Sequence, residues 1–190
     1  VSIILVLPYM TVVVPCDAEE TRKATLAIAA KEGPCYIRFG REGVPVVTGV
    51  NTPFELGKAR TCREGKDVAI IANGAMVYEA MEAAKELAKE GIEAFVINLH
   101  TVKPLDVDAV CAAAEKTGCI VTAEEHQVHG GMGSAVAEVL SAHCPVPIEM
   151  VAVQDTFGES GQPQELMDAY GLNAAQIITN VKKVIARKKA

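Results

Sequence analysis

From Asp67 to Lys188 the chain alternates short, β-branched apolar runs with longer segments whose apolar residues recur at helical spacing. Asp67–Ala72 (D-V-A-I-I-A), Ile92–Asn98, Cys119–Ala123 (C-I-V-T-A) and Ile148–Val153 read as strands. Gly74–Glu90 reads as a helix with Val77, Ala80, Met81, Ala84, Leu87 and Ala88 on its apolar face. Leu105-Asp106 caps a helix running to about Lys116, with Val110, Cys111 and Ala114 facing inward, and Gly130–His143 is a helix opened by glycines. Gln164–Tyr170 and Ala174–Lys188 are closing helices, the last with Ile177, Ile178, Val181, Val184 and Ile185 in one stripe. Strands and helices alternating on short loops predict an α/β fold: a three-layer αβα domain with a mainly parallel sheet. Ligands of such a sheet are expected beyond the carboxyl ends of its strands.

A partial α/β unit precedes this domain. Thr11–Val14 (T-V-V-V) is a strand ended by Pro15, and Asp17 with Glu20 forms a capping box that opens a helix to about Glu32. Gly33-Pro34 stops the helix, and Cys35–Phe39 is the next strand, so the unit implies a parallel pair with a crossover helix. One such unit cannot cover its own sheet and must pack on something else. Gly43–Phe54, rich in Gly, Pro and β-branched residues, reads as an extended linker. Val1–Leu7 is almost wholly apolar, but has neither the basic region nor the cleavage site of a signal peptide, and Pro8 and Pro15 interrupt any span. It is expected to be core structure whose context lies upstream, which makes the chain read as a fragment or one half of a split polypeptide.

Composition narrows the functional classes. Hydrophobic residues are 50% of the 190 and charged residues 22%, with 18 basic against 24 acidic side chains and a net charge of −6. This is globular composition, and its acidic balance excludes a general binder of nucleic acid or of anionic membrane. Cys16, Cys35, Cys62, Cys111, Cys119 and Cys144 are scattered singly, a pattern of reduced thiols in a cytosolic protein rather than a disulfide framework or zinc site. His126 and His129 form an H-x-x-H pair without neighbouring cysteines or helical i,i+4 spacing, so no metal site is read there. The basic tail (Lys182, Lys183, Arg187, Lys188, Lys189) suits the carboxyl end of a helix dipole.

Three places carry candidate chemistry. Gly130, Gly131 and Gly133 at a helix start could leave backbone N–H groups free for a phosphate, although the run matches no phosphate-binding fingerprint and equally permits a tight turn. Glu124, Glu125 and His126, at the carboxyl end of a strand, could serve acid–base chemistry or cap the following turn. Adjacent strand residues point to opposite faces, so the two glutamates cannot share one substrate without a loop conformation. Arg38 and Arg41, flanking Phe39-Gly40 at another strand end, suit a phosphate or carboxylate, or a solvated pairing with Glu42.

Taken together, several segments resemble the C-terminal part of transketolase: Pro8–Pro15 (P-Y-M-T-V-V-V-P), Asp17–Arg22 (D-A-E-E-T-R), Tyr36–Glu42 (Y-I-R-F-G-R-E) and Asn98–Asp106 (N-L-H-T-V-K-P-L-D). Glu124-Glu125-His126 with Gly130–Glu138, and Phe157–Gly161 (F-G-E-S-G) followed by Tyr170-Gly171-Leu172, extend the match over essentially the whole chain. The resemblance implies an enzyme that uses thiamine diphosphate and a divalent metal (Mg or Ca) to move a two-carbon ketol unit between sugar phosphates. It implies that residues 1–49 are the C-terminal remnant of a pyrimidine-binding domain and that residues 50–190 are the C-terminal domain. The family's cofactor-activating glutamate, aromatic pyrimidine pocket and metal-ligand motif belong upstream, so neither catalytic nor cofactor-binding residues are assigned to this chain, which is expected to be inactive and cofactor-free alone.

By the same resemblance, Arg41 matches the arginine that binds the substrate phosphate and Arg38 stands beside it, whereas the family gives Glu124, Glu125, His126 and the glycine turn no direct role in chemistry. The implied partners are a second copy in a homodimer, the N-terminal transketolase section and sugar phosphates, in the cytoplasm, without nucleic acid or membrane. Two related thiamine enzymes, deoxyxylulose-phosphate synthase and the β subunit of 2-oxo-acid dehydrogenases, compete as readings, as does a non-catalytic dimerisation module.

Overall fold

The computed structural model of the chain describes residues 1–188. Its first part comprises α1 (Ser2–Leu5), β1 (Thr11–Val13), α2 (Ala18–Ala29) and β2 (Cys35–Ile37). Then come β3 (Arg60–Arg63), β4 (Val68–Ala72), α3 (Met76–Lys89), β5 (Ala94–Asn98) and β6 (Thr101–Lys103). The last part holds α4 (Val107–Thr117), β7 (Ile120–Gln127), α5 (Met132–His143), β8 (Ile148–Val153), α6 (Pro163–Ala169) and α7 (Ala174–Lys188).

The main sheet has five strands in the order β3-β5-β4-β7-β8. β4 pairs in parallel with β5 and β7, β7 pairs in parallel with β8, and only β3, at one edge, runs antiparallel. Because side chains alternate along a strand, its two faces bury different residues. Ile70, Ala72, Val121 and Ala123 pack with α3 and α7, through Val77, Ala80, Leu87, Ile177, Val181 and Val184. Ala69, Ile71, Ile97 and Ile120 pack with α4 and α5, through Val110, Ala114, Val136 and Leu140. The three-layer αβα architecture expected from the alternation is therefore present. Cys111, expected inward on α4, is only half-buried at the margin of this packing.

The first unit forms the expected parallel pair, Thr11 opposite Cys35 and Val13 opposite Ile37, joined by α2. It also recruits a third strand: β6 runs antiparallel to β1, giving a smaller sheet in the order β2-β1-β6. Residues 101–103 thus widen the sheet of the first unit to three strands. The linker contains neither helix nor strand, yet it is fastened. Asp17 accepts hydrogen bonds from Glu20 N (2.9 Å), Val47 N (2.8 Å), Thr48 N (2.5 Å) and Thr48 Oγ1 (2.8 Å), capping α2 and pinning the linker with one carboxylate.

The opening run, expected to be core structure, is so only in part: Ser2–Leu5 is one helical turn, Ile3 and Val6 are largely exposed, and Val1, Ile4 and Leu5 rest against the α4–α5 face. Four residues are too few for a stable isolated helix, so this turn exists by its contacts.

At the other edge, β8 turns the carbonyls of Pro147 and Val153 towards β7, where they accept from Ile120 N and Val128 N. The outward carbonyls of Ile148, Met150 and Ala152 accept instead from side chains: Arg187 Nη1 at 2.7 Å, Asn180 Nδ2 at 3.3 Å and Gln154 Nε2 at 2.9 Å. The basic end of α7 is more than a dipole partner, since Lys182 pairs with Glu90, Lys183 and Arg187 pair with Glu149, and Lys188 Nζ donates to Thr117 O. Lys189 lies outside the described residues.

Candidate functional site

The carboxyl end of β7 is where the candidate residues converge. β7 continues past Ala123 to Gln127, so Glu124, Glu125 and His126 lie on a strand and alternate in direction. Glu124 is buried, and its carboxylate accepts from Met132 N (2.7 Å) and Gly133 N (2.8 Å) at the start of α5. Two N–H groups that a helix leaves without intrahelical partners are satisfied by this one side chain. Burial pushes the Glu124 carboxyl pKa up, against the pull of those two N–H groups. A Cβ on Gly131 would overlap the Glu124 carboxylate, which is why glycine stands there. Gly130 N donates to Ser134 Oγ (2.9 Å), and Ser134 Oγ donates to Val128 O (3.2 Å), so the glycine turn closes on its own side chains. The anion-binding end of α5 is occupied by the protein's own carboxylate.

Glu125 points the other way. Its Oε2 accepts from Ala75 N (3.4 Å) at the start of α3 and from Arg38 Nη1 (3.2 Å). Arg38 leaves β2 with its own N–H on Val13 O (2.9 Å), so the ion pair ties the end of the small sheet to the end of the large one. The structure therefore brings Arg38 and Glu125 together and leaves Glu124 on the opposite face. His126 Nε2 contacts Ser2 Oγ at 3.2 Å, and its Nδ1 contacts Gln127 O at 2.8 Å. Arg41 stands apart, with a side chain 93% exposed and paired to Glu42 at 3.1 Å.

A second polar group lies beyond the carboxyl end of β5, beneath the start of α2. Glu20 does not complete its capping box on Asp17. Its Oε2 accepts from Cys16 N (2.7 Å), one residue earlier, and its Oε1 accepts from Asn98 Nδ2 (2.7 Å). Arg60 sits opposite Asn98 in the β3–β5 pair, and its Nε and Nη2, like Asn98 Oδ1, are buried without a partner among the described residues. His100 is buried and stacks on Phe54 at 4.4 Å, and burial lowers its pKa. Burial and the neighbouring Glu20 raise the Cys16 thiol far above its ordinary range, which keeps it a neutral core group. None of Cys16, Glu20, Arg60, Asn98 and His100 was a candidate from sequence. The available signal was two polar residues, Asn98 and His100, closing an apolar strand. The crevice where a ligand of the large sheet is expected is here covered by the first unit.

No group of three or more His, Cys, Asp or Glu side chains able to hold a metal ion occurs among the described residues. With the start of α5 already filled by Glu124, the described residues do not fit a metal–diphosphate group by themselves.

The family model of the transketolase C-terminal domain matches residues 57–177. This chain belongs to the transketolase C-terminal domain family. Among similar members of that family is the 6-deoxy-6-sulfo-D-fructose transketolase subunit SqwH of Clostridium sp. (strain MSTE9), 48% identical over 188 residues, 99% of this chain and 58% of the subunit. The 1-deoxy-D-xylulose-5-phosphate synthase of Trichormus variabilis is 40% identical over 188 residues, 96% of this chain and 30% of the synthase. Among solved structures, a split-gene transketolase described as an inactive β4 tetramer superposes with a TM-score of 0.96 at 48% identity, covering 98% of this chain and 61% of that one. The match runs through both sheets, and the transketolase C-terminal part of a split enzyme is what this chain resembles throughout. The chain spans about three fifths of the length of the subunit and of the solved chain.

Proposed function

We propose that this chain is the C-terminal part of a thiamine-diphosphate-dependent transketolase, moving two-carbon ketol units between sugar phosphates, and that it is inactive without an N-terminal section. Residues 1–49 are the end of a pyrimidine-binding domain and residues 50–190 the C-terminal domain. The observation that carries this reading is the pair of guanidiniums after β2. Arg38 is fixed by Glu125, while Arg41 extends into solvent beyond Gly40 with the exposed Glu42 carboxylate beside it. A planar, permanently charged fork in that position suits a phosphate, and an exposed ion pair such as Arg41–Glu42 costs little to exchange for one.

Thiamine diphosphate and a divalent metal would come with the N-terminal section, and no step on this chain is routed through them. The chain's own part is to position the substrate phosphate and to hold protomer contacts in a two-fold homodimer in the cytoplasm. The exposed apolar side chains Ile3, Val6, Tyr9, Leu26 and Phe39 support such contacts. In the enzyme reconstituted with its N-terminal section, Arg41→Ala should weaken use of a phosphorylated acceptor by roughly 1.5–3 kcal/mol, the range for a hydrogen bond to a charged group. An unphosphorylated acceptor should be far less affected, and equal loss on both would make Arg41 structural. Calorimetry of the chain alone with thiamine diphosphate and magnesium should show no binding, and micromolar affinity would overturn the expected division of labour.

A second reading is favoured by the relative described as an inactive β4 tetramer. On that reading the chain is a non-catalytic association module, and adding an N-terminal section would restore no ketol transfer.

A further inference from the structure

We propose that Glu125 is a positioning residue for the substrate phosphate, holding the Arg38 guanidinium so that Arg38 and Arg41 close on one phosphate group. That role rests on the reading of both arginines as phosphate ligands, and it extends the site from the small sheet to β7 in the large one.

Glu125 is itself oriented before it orients Arg38. Its Oε2 accepts from Ala75 N (3.4 Å), just before α3, and from Arg38 Nη1 (3.2 Å). A helix start favours a carboxylate, so the charge of Glu125 is anchored by the helix layer of its own sheet. The space around the pair is tight. A Cβ on Gly74 would stand 3.2 Å from Val14 Cγ1, 3.3 Å from Glu125 Oε2 and 3.9 Å from Arg38 Nη1. The ion pair is therefore pressed between the end of β1 and the turn from β4 to α3. Its side chains are 32% and 24% exposed, against 93% and 57% for Arg41 and Glu42, so this pair is the better sheltered from water.

Arg38 is also the last fixed point before the exposed segment. Its N–H donates to Val13 O (2.9 Å), and the next anchored residue is Val47, whose N–H donates to Asp17 Oδ2 (2.8 Å). Among the described residues, the stretch 39–46 makes only the bond between Arg41 and Glu42. The Arg38 guanidinium uses Nη1 on Glu125, while Nε and Nη2 have no partner among the described residues. A planar fork clamped at one nitrogen keeps donors for an oxyanion in a set plane. Without Glu125 the Arg38 side chain is free to sample other rotamers, and a phosphate would have to order it on binding.

The test uses the enzyme reconstituted with its N-terminal section and compares a phosphorylated with an unphosphorylated acceptor. Glu125→Gln keeps the side-chain length and an oxygen for Ala75 N, but removes the charge. It should raise KM for the phosphorylated acceptor roughly fivefold, as suits a partly exposed ion pair, with kcat and the unphosphorylated acceptor far less affected. Arg38→Ala should raise that KM further, and adding Glu125→Gln to it should change nothing more, because Glu125 acts through Arg38. A purely structural tie would not separate the two acceptors. Glu125→Gln without effect, with equal loss on both acceptors, or with its full loss repeated on top of Arg38→Ala, overturns the proposal while Arg41→Ala still separates the acceptors. If Arg41→Ala does not separate them, or the parent assembly transfers no ketol unit, the phosphate reading itself fails and takes the role of Glu125 with it.

Discussion

Glu124 and Glu125 are neighbours on β7, yet their carboxylates hold the starts of helices on opposite faces of the sheet. Glu124 accepts from Met132 and Gly133 of α5, and Glu125 accepts from Ala75, just before α3. The period-two geometry of a strand converts two adjacent, chemically identical side chains into caps for two different layers. Placed together, two such carboxylates would repel. Separated by the sheet, each satisfies N–H groups that its helix cannot.

Their unequal surroundings predict unequal costs. Glu124→Ala leaves two buried N–H groups unpaired and should destabilise the chain by about 2–4 kcal/mol, whereas Glu125→Ala, in a half-exposed pair, should cost about 1 kcal/mol. Urea unfolding of the two variants measures the difference, and equal costs would remove the distinction drawn between the faces.

Acid should unfold the chain in two steps of opposite origin. His100 is buried neutral with a lowered pKa, so the unfolded chain binds its proton more readily and stability falls as pH drops below about 6.5, the ordinary histidine value. Burial pushes the Asp17 carboxyl up, but its bonds from Glu20, Thr48 and Val47 outweigh that and hold it below the ordinary value. Its stabilisation is therefore complete above about pH 3.9 and lost as pH falls through the lower folded value. Stability curves against pH should lose the upper step in His100→Gln and the lower one in Asp17→Asn.

Gly65 lies where the chain turns from β3 to β4, and a Cβ there would run into the backbone of Ala94 and Phe95. Backbone cannot rotate away as a side chain can, so Gly65→Ala should cost about 3 kcal/mol or more. Thermal unfolding reads the loss, and a neutral variant would show that the β3–β4 connection shifts freely.

Proteases should cut first between Gly40 and Val46. That stretch is mostly exposed and has neither helix nor strand, whereas Val47 and Thr48 are held by Asp17, and Lys23 Nζ donates to Gly49 O (2.7 Å) and Thr52 O (2.6 Å). Asp17→Ala should extend the cuts to Val47–Thr52, and time-resolved mass mapping would show whether the fastening carries that protection.

The long elements were legible in the sequence because each carries its own period. The stripe from Ile177 to Ile185 and the run D-V-A-I-I-A each admit one structure, and both formed within a residue or two of the expected bounds. Among the short elements, β1 and β2 were legible from their apolar, β-branched or aromatic residues, but β6 and β3 were not. Thr101–Lys103 follows β5 after only two residues and has no alternation of its own, and it is a strand because β1 lies beside it. Arg60–Arg63 has polar residues at most positions and gains its conformation from the edge of β5. At the site, the two directions of Glu124 and Glu125 followed from strand geometry alone. Pairing Arg38 with Glu125 required knowing how two sheets meet, and a residue separation of 87 leaves no local trace of that.

The side-chain cover over β8 sets where this sheet can grow. A strand added there would need the outward carbonyls of Ile148, Met150 and Ala152, and Arg187, Asn180 and Gln154 already hold all three. An incoming backbone would compete with a guanidinium and two amides for each of these carbonyls, which opposes ribbon-like polymerisation along that edge. Copies of the chain that meet along this edge are steered to side-chain surfaces, where shape and chemistry choose the partner, and away from the unselective ladder of an open strand.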